Sequence, residues 1–372
     1  MRAVLCRACG SKMKRNGKTT AGRQRWRCSS CGASETVRYD GEARRLAEFL
    51  EWLFSKRTQL EMPGAGRSFR RRTSGFWSVW PMPEPTGEWH RVVHVDGIYL
   101  ARDLVVLIAF ADSVVVSWYM ARRETSRAWS ALVAPVPPPA VVVTDGGSGF
   151  ASAARSEWPA ARVQRCLYHV FCQVRRYTTS KPNLQAGIEL YGLARELLSI
   201  ETLRQAEWWV ERYLEWCSFW ADFLEERSVV EGRLRYTHER LRKARSGLSG
   251  LLNEGAMFTY LDPELAAQGP VPSTNNPIEG GVNAQLRALL RNHRGLSLMR
   301  RVKAVFWWCH MHSEAPLGAR EILERMPTDD DIDLLYRTYS SDGKREDGGP
   351  EWGDRAVWEE LHHKTPYPFY ID

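Results

Sequence analysis

Two Cys-x-x-Cys pairs near the N-terminus constrain the fold of this chain more than any other feature of its sequence. Cys6 and Cys9 form the first pair, and Cys28 and Cys31 form the second after 18 intervening residues. Each pair places two thiolates on one tight turn, and two such turns complete a tetrahedral Zn²⁺ site. A disulfide pair is the alternative, but disulfides are rare in cytoplasmic proteins. The spacing therefore predicts that residues 1–37 form a zinc ribbon.

The residues around these cysteines fit such a ribbon. Gly10 and Gly32 each follow the second cysteine of a pair, where a turn often requires a positive φ. The segment 24–27 is predicted to be a short strand that leads into the second turn. The remaining cysteines are scattered along the chain and are expected to be reduced, mostly buried thiols: Cys166, Cys172, Cys217 and Cys309.

Positive charge is concentrated at the same end of the chain. The sequence has 52 Lys and Arg residues against 44 Asp and Glu residues, a net charge of +8. Residues 1–38 hold ten basic side chains and one acid, Glu35, so this segment carries +9 and the remainder −1. Because a phosphate backbone attracts concentrated positive charge through counterion release, we expect this segment to bind DNA, with Arg25 and Arg27 as candidate contacts. A solvated basic arm, the alternative, fits poorly with four cysteines.

Length and composition exclude several classes of protein. The 372 residues, 44% of them hydrophobic and 26% charged, suit two or three globular domains. The N-terminal residues do not form a secretory signal, and the longest apolar run, 104–111, is far too short to span a membrane. The sequence therefore predicts a soluble cytoplasmic protein that, in a bacterium, associates with the nucleoid.

A pair of helices is predicted within residues 38–86. In 42–54, apolar side chains recur at helical spacing: Leu46, Phe49, Leu50, Leu53 and Phe54. After a break at 63–66, a second helix is expected to begin at Arg70, Arg71 and Arg72 and to carry an apolar face of Phe69, Phe76, Trp77 and Trp80. This order predicts a helix-turn-helix whose basic second helix enters the major groove. The alternative is a small helical pair with a solvated Arg run.

A proline-rich stretch at 81–87 is predicted to be a stiff linker and a domain boundary. Beyond it, residues 87–175 change to short β-branched runs. The predicted strands span 91–96, 104–110, 114–119, 140–145 and 162–166, with a helix at 126–133. Three antiparallel strands followed by strand–helix units are the order of a ribonuclease H-like sheet. The predicted fold class is therefore α/β, with a ribonuclease H-like mixed sheet as its core.

Two of these predicted strands end in an acid, Asp96 and Asp145. A carboxylate at the end of a buried strand is costly unless it is paired or bound to a cation. On adjacent central strands, two such acids can share divalent metal ions about 4 Å apart and activate in-line attack at phosphorus. Asp103 and Asp112 are rivals, but each lies at a strand or hairpin edge and is typical of an ordinary turn. The pair alone is weak evidence, because strand–Asp–Gly often marks only a turn.

A third acid, Glu279, opens a long helical segment. The segment has an apolar face of Val282, Leu286, Leu289 and Leu290 and a separate basic stripe of Arg287, Arg291 and Arg294. Such a stripe would hold DNA phosphates beside a metal site. The alternative is that Glu279 only caps the helix dipole.

Four motifs, taken in order, resemble a known family. They are His94-Val95-Asp96-Gly97, Thr144-Asp145-Gly146, Cys166-Leu167-Tyr168-His169 and Asn276-Pro277-Ile278-Glu279. Together they look like the motifs of the bacterial Mutator-like insertion-sequence transposases. The segments 280–287 and 293–296 resemble a subgroup of that family with an N-terminal zinc ribbon. The resemblance covers roughly residues 1–312.

The resemblance implies a DDE active site in which Asp96, Asp145 and Glu279 bind Mg²⁺ or Mn²⁺. It also matches Cys166 and His169 to the family's Cys-x-x-His signature. From the residues alone, this pair is either half of a zinc site or a buried structural pair. Support of the catalytic pocket, a role also expected for Asn276, is favoured over zinc binding. For His293 and Arg294, the expectations are contact with DNA or a solvated turn.

Asp145 and Glu279 are 134 residues apart, too far for a simple five-stranded core. Residues 176–272 have helical periodicity, and the resemblance implies an all-helical insertion there, with the second part of the catalytic core at 273–312. The tryptophans of the insertion are more typical of a core than of a base-stacking platform: Trp208, Trp209, Trp216 and Trp220. The acidic segment 313–372 is predicted to be a solvated tail with exposed loops at 329–331 and 340–349, and contact with a basic surface of the same or a neighbouring subunit is the alternative.

These features predict a DNA transposase. The ribbon and helix-turn-helix would bind the terminal inverted repeats of an insertion sequence, and the triad would cut DNA and transfer the strand to a target. Pairing of two element ends implies a homodimer or higher oligomer, and no membrane contact is expected. Two alternatives are a catalytically inactive, transposase-derived DNA-binding regulator and a ribonuclease H-type, structure-selective nuclease.

Overall fold

The computed structural model describes residues 4–6, 8–20, 22, 24–36 and 41–334. Within these residues the protein is an α/β structure with three β-sheets. Its strands are β1 (Met13–Lys18), β2 (Gln24–Cys28), β3 (Ser34–Thr36), β4 (Val92–Ala101), β5 (Leu104–Ala111), β6 (Val114–Ala121), β7 (Val141–Thr144), β8 (Arg162–Arg165), β9 (Arg227–Val230) and β10 (Arg233–Tyr236).

Helices make up much of the remainder. The α-helices are α1 (Glu42–Phe54), α2 (Ala65–Thr73), α3 (Ser126–Val133), α4 (Ser148–Glu157), α5 (Leu167–Thr178), α6 (Gln185–Glu196), α7 (Leu203–Phe219), α8 (Ala221–Glu225), α9 (Glu239–Asn253), α10 (Pro263–Ala266), α11 (Asn283–Asn292), α12 (Leu298–Met311) and α13 (Ala319–Arg325). A π-helical turn, Pro277–Val282, leads directly into α11. In the described part of the chain, no helix combines the length and apolarity needed to cross a bilayer.

The largest sheet is mixed and has the strand order β6-β5-β4-β7-β8. β4, β5 and β6 form an antiparallel meander, and β7 and β8 extend the sheet parallel to β4. The five predicted strands are confirmed, except that β4 continues well past the predicted end at Asp96. Its antiparallel pairing with β5 runs on to Ala101, whereas its parallel pairing with β7 stops at His94. Asp96 therefore lies inside a strand, just beyond the point where one neighbouring strand departs.

The central strands are buried from both sides. Every side chain of β5 except Phe110 is buried, which is the pattern of a strand covered on both faces. α3 and α12 pack against the meander, and α4 packs on α3. The helix predicted at 126–133 is confirmed as α3, and Thr125 caps it by accepting a hydrogen bond from the Ala128 amide.

The helical pair after the cysteine-rich segment differs from the prediction in its second member. α1 has the predicted bounds, but α2 ends at Thr73, so Arg70, Arg71 and Arg72 lie in its last turn and not its first. The chain then tightens into a 3₁₀ turn at Ser74–Trp77, which interrupts the predicted apolar face. Gly64 and Gly66 have positive φ values of 76° and 45°, and these conformations start and kink the short helix.

The hydrophobic core is continuous across 81–87, where the sequence predicts a domain boundary. Phe49 of α1 packs edge-on against Trp307 of α12, with 6.0 Å between the ring centroids. Met82 is fully buried, and the Pro81 carbonyl accepts a hydrogen bond from the Trp118 indole of β6. The helical pair and the sheet therefore share one core.

Helices α5 to α9 build a second hydrophobic core, but the predicted all-helical insertion also contains a β-hairpin. β9 and β10 pair across a two-residue turn in which Glu231 and Gly232 both have positive φ. The all-helical prediction is wrong here because the strong periodicity of the flanking helices masks a short β-branched run, Val229-Val230, followed by a turn glycine.

The tryptophans of the insertion divide between its core and its surface. Trp209 and Trp216 are buried, which confirms the predicted core role for these two. Trp208 is exposed, and the Arg212 guanidinium lies 4.4 Å from its ring centroid. Cation–π contacts of this kind are common on protein surfaces.

The acidic C-terminal segment is folded over its described part, contrary to the predicted solvated tail. α13 packs against α1, and Ile322 is fully buried. Asp329, predicted to lie in an exposed loop, accepts hydrogen bonds from Lys303 Nζ at 2.6 Å and from the Trp80 indole at 2.7 Å. Lys303 is buried and also donates to the Trp77 carbonyl at 2.6 Å. The predicted loop at 340–349 falls outside the described residues.

The Lys303–Asp329 pair predicts a large effect of removing its acid. Burial lowers the pKa of Lys303, so its ammonium depends on its partners to stay charged. We expect Asp329→Ala to reduce the free energy of unfolding by about 2 kcal/mol, less than for a fully buried pair because the Asp329 carboxylate is half-exposed. Urea denaturation measures the change. Asp330, the exposed neighbour of Asp329, provides the control. An Asp330→Ala variant that loses as much unfolding free energy as Asp329→Ala would contradict this account.

Candidate functional site

Asp96 and Asp145 lie on neighbouring parallel strands. β4 and β7 pair in register up to His94 and Val143, and each aspartate follows its paired residue by two positions. β8 continues the same edge, with Cys166 directly after its last residue. Asp145 and Cys166 therefore follow the carboxyl ends of adjacent parallel strands, which is where α/β sheets place their ligand sites.

Glu279 reaches this edge from the π-helical turn Pro277–Val282. Ile278 and Val282 of the turn are buried in the main core, and the turn contacts β4. Glu279 itself is only partly buried. Single π-helical turns are frequent at functional sites, because they rotate one side chain out of the regular helical order. This turn brings the third acid to the strand that carries the first.

The fully buried Asn275 fixes the segment before Glu279 against the sheet. Its Nδ2 donates to the Val95 carbonyl at 2.9 Å, and its backbone N–H donates to Cys166 Sγ at 3.2 Å. Its Oδ1 accepts a hydrogen bond from His94 Nδ1 at 2.9 Å, which assigns the proton of that imidazole to Nδ1. Burial lowers the pKa of His94, in keeping with a neutral ring.

Asn276, the residue predicted to support the catalytic pocket, does not hold the segment against the sheet. Its side chain is exposed, and its Oδ1 occupies the space that a Cβ on Gly280 would need. The support comes from Asn275, one residue earlier. The sequence pattern alone does not distinguish them, because both asparagines precede Pro277 and only the packing decides which one faces the sheet.

Asp96 is held by two hydrogen bonds and has a raised pKa. The Gly97 amide donates to its Oδ1 at 2.8 Å, and Asn283 Nδ2 of α11 donates to its Oδ2 at 2.6 Å. Burial is the largest cause that raises the pKa of Asp96 to about 7, and the negative charges of Asp145 and Glu279 add to it. Asp145 and Glu279 therefore lie near enough to Asp96 for their charges to oppose its ionisation.

Cys166 and His169 lie beside Glu279. Cys166 is the N-cap of α5 and His169 follows three residues later, so both face the same side of the helix. Cys166 Sγ lies 3.8 Å from Glu279 Oε1, and His169 Nδ1 lies 3.3 Å from the same oxygen. The contacts with Cys166 and Glu279 raise the pKa of His169 to about 10. The predicted Cys-x-x-His pair thus borders the carboxylates.

A fourth carboxylate, Glu124, also borders the site and escapes the sequence analysis. It precedes the Thr125 cap of α3, and it lies so close to the backbone of Gly97 that a Cβ there would come within 2.8 Å of Glu124 Oε1. Burial raises the pKa of Glu124, and the charge of Asp145 raises it further. The glycine directly after Asp96 is the available sequence signal, because it marks a close approach to the backbone.

Arg165, also missed from the sequence, places a positive charge beside Asp145. A Cβ on Gly146, whose φ is 90°, would coincide with the Arg165 guanidinium, so only glycine leaves room for it. Burial lowers the pKa of Arg165, and the charge of Asp145 opposes that shift. Arg165 Nε is buried without a hydrogen-bond partner among the described residues. The guanidinium therefore offsets part of the carboxylate charge and keeps donor capacity for an anion.

The rival aspartates lie away from this arrangement, in turns. Asp103 lies in the β4–β5 turn, and Asp112 has a φ of 46° in the β5–β6 turn. Asp112 pairs with His90 Nδ1 at 2.8 Å. Both positions agree with their interpretation as turn acids.

Among the described residues, the ligand atoms of the three acids do not all lie within 4.8 Å of one another, so the acids are near one another without forming a preformed metal site. Asp96, Asp145 and Glu279 offer only carboxylate oxygens, which are the ligands that Mg²⁺ and Mn²⁺ prefer. Burial raises the pKa of Asp96, with a smaller contribution from the charges of Asp145 and Glu279, and a bound cation would oppose both effects.

The four N-terminal cysteines form a compact cluster that is compatible with a zinc site. Their Sγ atoms all lie within 4.8 Å of one another, with 3.6 Å between Cys6 and Cys31 and 3.4 Å between Cys9 and Cys28. Hydrogen bonds with Ser11 lower the pKa of Cys9 to about 6, which favours the thiolate that binds metal. Four thiolates are a donor set typical of structural zinc.

The segment around the cluster also agrees with the sequence. β1, β2 and β3 form an antiparallel sheet, and β2 confirms the strand predicted at 24–27. Gly10 and Gly32 have the predicted positive φ values, 72° and 74°. Arg25 and Arg27 are both exposed on the same face of β2, and the partly buried Trp26 lies between them in the sequence.

Some of the other side chains predicted to contact DNA are exposed, and others are held by contacts within the protein. Arg70 and Arg71 are exposed, whereas Arg72 is partly buried and pairs with Glu48 at 3.2 Å, which gives it a structural role. The stripe residues of the helical segment are exposed and form no ion pair with any described residue: Arg287, Arg291 and Arg294. His293 is buried, and its Nε2 hydrogen-bonds the Leu53 carbonyl at 2.8 Å, so neither expectation for this residue is correct.

Comparison of the chain with protein-family models and with curated proteins finds no match in either case. The resemblance to Mutator-like transposases therefore depends on the order of the four motifs.

The raised pKa of Asp96 predicts a pH-dependent cost to stability. In the unfolded chain this carboxyl ionises near pH 3.8, whereas in the folded protein it keeps its proton up to about pH 7. Protonation of Asp96 therefore favours folding at low pH, and this contribution to stability is lost as pH rises through 7. We expect the unfolding free energy of metal-free Asp96→Asn, measured relative to that of the wild type, to be about 2 kcal/mol higher at pH 8 than at pH 5. Urea denaturation in a chelator at both pH values measures this gain, and a difference independent of pH would contradict it.

Proposed function

We propose that this protein is a DNA transposase of the DDE type, related to the bacterial Mutator-like insertion-sequence transposases. The observation that supports the proposal is that, at one edge of a mixed sheet, Asp145 and Glu279 lie near enough to Asp96 for their charges to raise its pKa. Two of these acids come from adjacent strands and the third from a helical turn far along the chain. An antiparallel meander followed by two parallel strands also supports a ribonuclease H-like core.

The chemistry would be in-line phosphoryl transfer. Mg²⁺ or Mn²⁺ bound by the three carboxylates would supply charge stabilisation to the attacking and leaving oxygens. The Gly97 amide and Asn283 hold Asp96 in place for this role, and Asn275 holds the Glu279 segment. The same carboxylates would serve two steps: attack of water to free a 3′-hydroxyl, and attack of that hydroxyl on target DNA.

Arg165 would assist the phosphate directly. Its guanidinium lies beside Asp145 and retains an unpaired, buried Nε. Arginine suits a phosphate because its fork of N–H donors matches two phosphate oxygens. We assign it to the non-bridging oxygens of the scissile phosphate, where it would oppose the charge that the carboxylates bring.

Exposed arginines would bind the DNA duplex. Arg287, Arg291 and Arg294 follow the Glu279 turn on α11 and its C-terminal end, so a backbone held there would pass the three acids. We also propose that the cysteine cluster is a zinc ribbon and that α1 and α2 form a helix-turn-helix, which together bind the terminal inverted repeats. Bringing two element ends together would require at least a dimer.

Substitution of the acids tests the reaction. We expect Asp145→Asn and Glu279→Gln each to reduce Mg²⁺-dependent cleavage of an element-end duplex by about a thousandfold or more, while end binding stays nearly unchanged, because only the reacting phosphate needs the carboxylate charge. Gel assays of cleavage and binding measure both quantities. Asp112→Asn, in a hairpin turn, is the matched control and should cleave normally.

The same assay separates the alternatives. Retained cleavage in either variant would remove that residue from the triad. A wild type that binds ends without cleaving them in Mg²⁺ would be a DNA-binding regulator, and one that cleaves without joining the 3′-end to a target would be a structure-selective nuclease.

The arginine stripe makes a separate prediction. If Arg287 and Arg291 each neutralise a phosphate, the double variant Arg287→Gln/Arg291→Gln should flatten the slope of log affinity against log salt by about 2. Binding measured over a range of salt concentrations gives this slope. Arg320→Gln on α13 exchanges an exposed arginine elsewhere, and an equal change in that variant would show that only net charge matters.

A further inference from the structure

Three different donor atoms converge beside the carboxylates. Cys166 Sγ, His169 Nδ1 and a carboxylate oxygen of Glu279 all lie within 4.8 Å of one another. His169 Nδ1 is buried and makes no hydrogen bond to any described residue, although Glu279 Oε1 is only 3.3 Å away. The contact lacks hydrogen-bond geometry, and a cation shared by the three atoms would replace the proton that the imidazole holds there.

The chemistry of this donor set differs from that of the three acids. Sulfur, imidazole nitrogen and one carboxylate oxygen together suit Zn²⁺ or Cd²⁺, whereas Mg²⁺ and Mn²⁺ prefer oxygen ligands alone. Three protein ligands leave one position of a tetrahedral ion open. His169 and Glu279 are both partly exposed, so an ion has access from solvent.

The positions of these donors are set by the fold. Cys166 occupies the N-cap of α5, and its Sγ accepts a hydrogen bond from the backbone N–H of Asn275. Its own amide donates to the Thr144 carbonyl at 2.9 Å, and the Leu167 amide donates to the Ser273 carbonyl at 3.0 Å. Such outer contacts orient metal ligands in advance of binding.

We infer that Cys166, His169 and Glu279 form a second divalent-metal site, which binds Zn²⁺ and accepts Cd²⁺ as a probe. Its fourth position is open to water or to a phosphate oxygen of DNA. Since Glu279 belongs to both donor sets, Zn²⁺ in this site withdraws it from the three acids and inhibits Mg²⁺-dependent cleavage. The inhibition rests on the proposed function, whereas the binding of Zn²⁺ does not.

Cadmium binding tests the site without DNA. Metal-free, reduced full-length protein is titrated with Cd²⁺, and bound ions are counted by equilibrium dialysis and by the ultraviolet sulfur-to-cadmium charge-transfer band. We expect two ions per chain, one in the N-terminal cysteine cluster and one here. Cys166→Ser should lower the count to one. His169→Gln should weaken the second ion more than about 100-fold, since loss of an outer contact alone costs about 10- to 100-fold.

Cys172→Ser supplies the matched control, because it removes a thiol from the same helix and should leave both ions bound. A wild type that binds one ion, or a Cys166→Ser variant that still binds two, would overturn the inference. Cys166 is buried, so its variant is checked for folding by thermal unfolding in chelator; His169 is partly exposed and provides the second variant.

Cleavage assays keep the two proposals distinct. Two bound ions without any cleavage would leave the second site standing and remove the transposase proposal. Mg²⁺-dependent cleavage together with a single bound Cd²⁺ would do the reverse. Where both hold, we expect inhibition by low Zn²⁺ that added Mg²⁺ relieves.

Discussion

The hydrogen bonds of the buried Asn275 join three parts of the chain that carry the candidate site. Its side chain bonds His94 and Val95 of β4, and its backbone bonds the Cys166 thiol after β8. Between Cys166 and Asn275 the chain leaves the sheet to build a separate helical core. Without a fixed point of return, Glu279 would have no defined position relative to the two aspartates. Asn275 therefore holds the returning segment to β4 through both the nitrogen and the oxygen of its side-chain amide.

Concentrated like charge is the second constraint. Asp96, Asp145, Glu279 and Glu124 lie near one another, and the pKa values of Asp96 and Glu124 are raised in consequence of burial and of their neighbours. Arg165 offsets part of this charge. Such an arrangement destabilises the folded chain unless a cation binds, and proteins retain a cost of this kind mainly where function requires it.

The sequence predicts the sheet well and the site in part. Short β-branched runs locate all five strands of the main sheet, and Asp145 follows from its position after β7, whereas Asp96 lies inside the longer strand β4. Glu279 has no such signal, and its assignment depends on motif resemblance. Three residues of the site are missed because only tertiary packing places them there. Glu124 lies in the connection between β6 and α3, and Arg165 fills the space above Gly146. Asn275 is one of two adjacent asparagines, and only its packing against β4 distinguishes it. The Lys303–Asp329 pair is missed for the same reason.

Glu279 occupies the boundary between two donor sets of different hardness. On one side are the oxygens of Asp96 and Asp145, and on the other are the sulfur of Cys166 and the nitrogen of His169. Its contacts with Cys166 and His169 both involve Oε1, so an ion held there fixes that oxygen and reduces the negative charge that Glu279 offers on the side of the aspartates. In this proposal, Zn²⁺ would bind Glu279 together with Cys166 and His169, whereas Mg²⁺ would bind it together with Asp96 and Asp145. In the second metal site that we infer, the Cys-x-x-His pair at the end of a strand would influence the acids through a shared ligand.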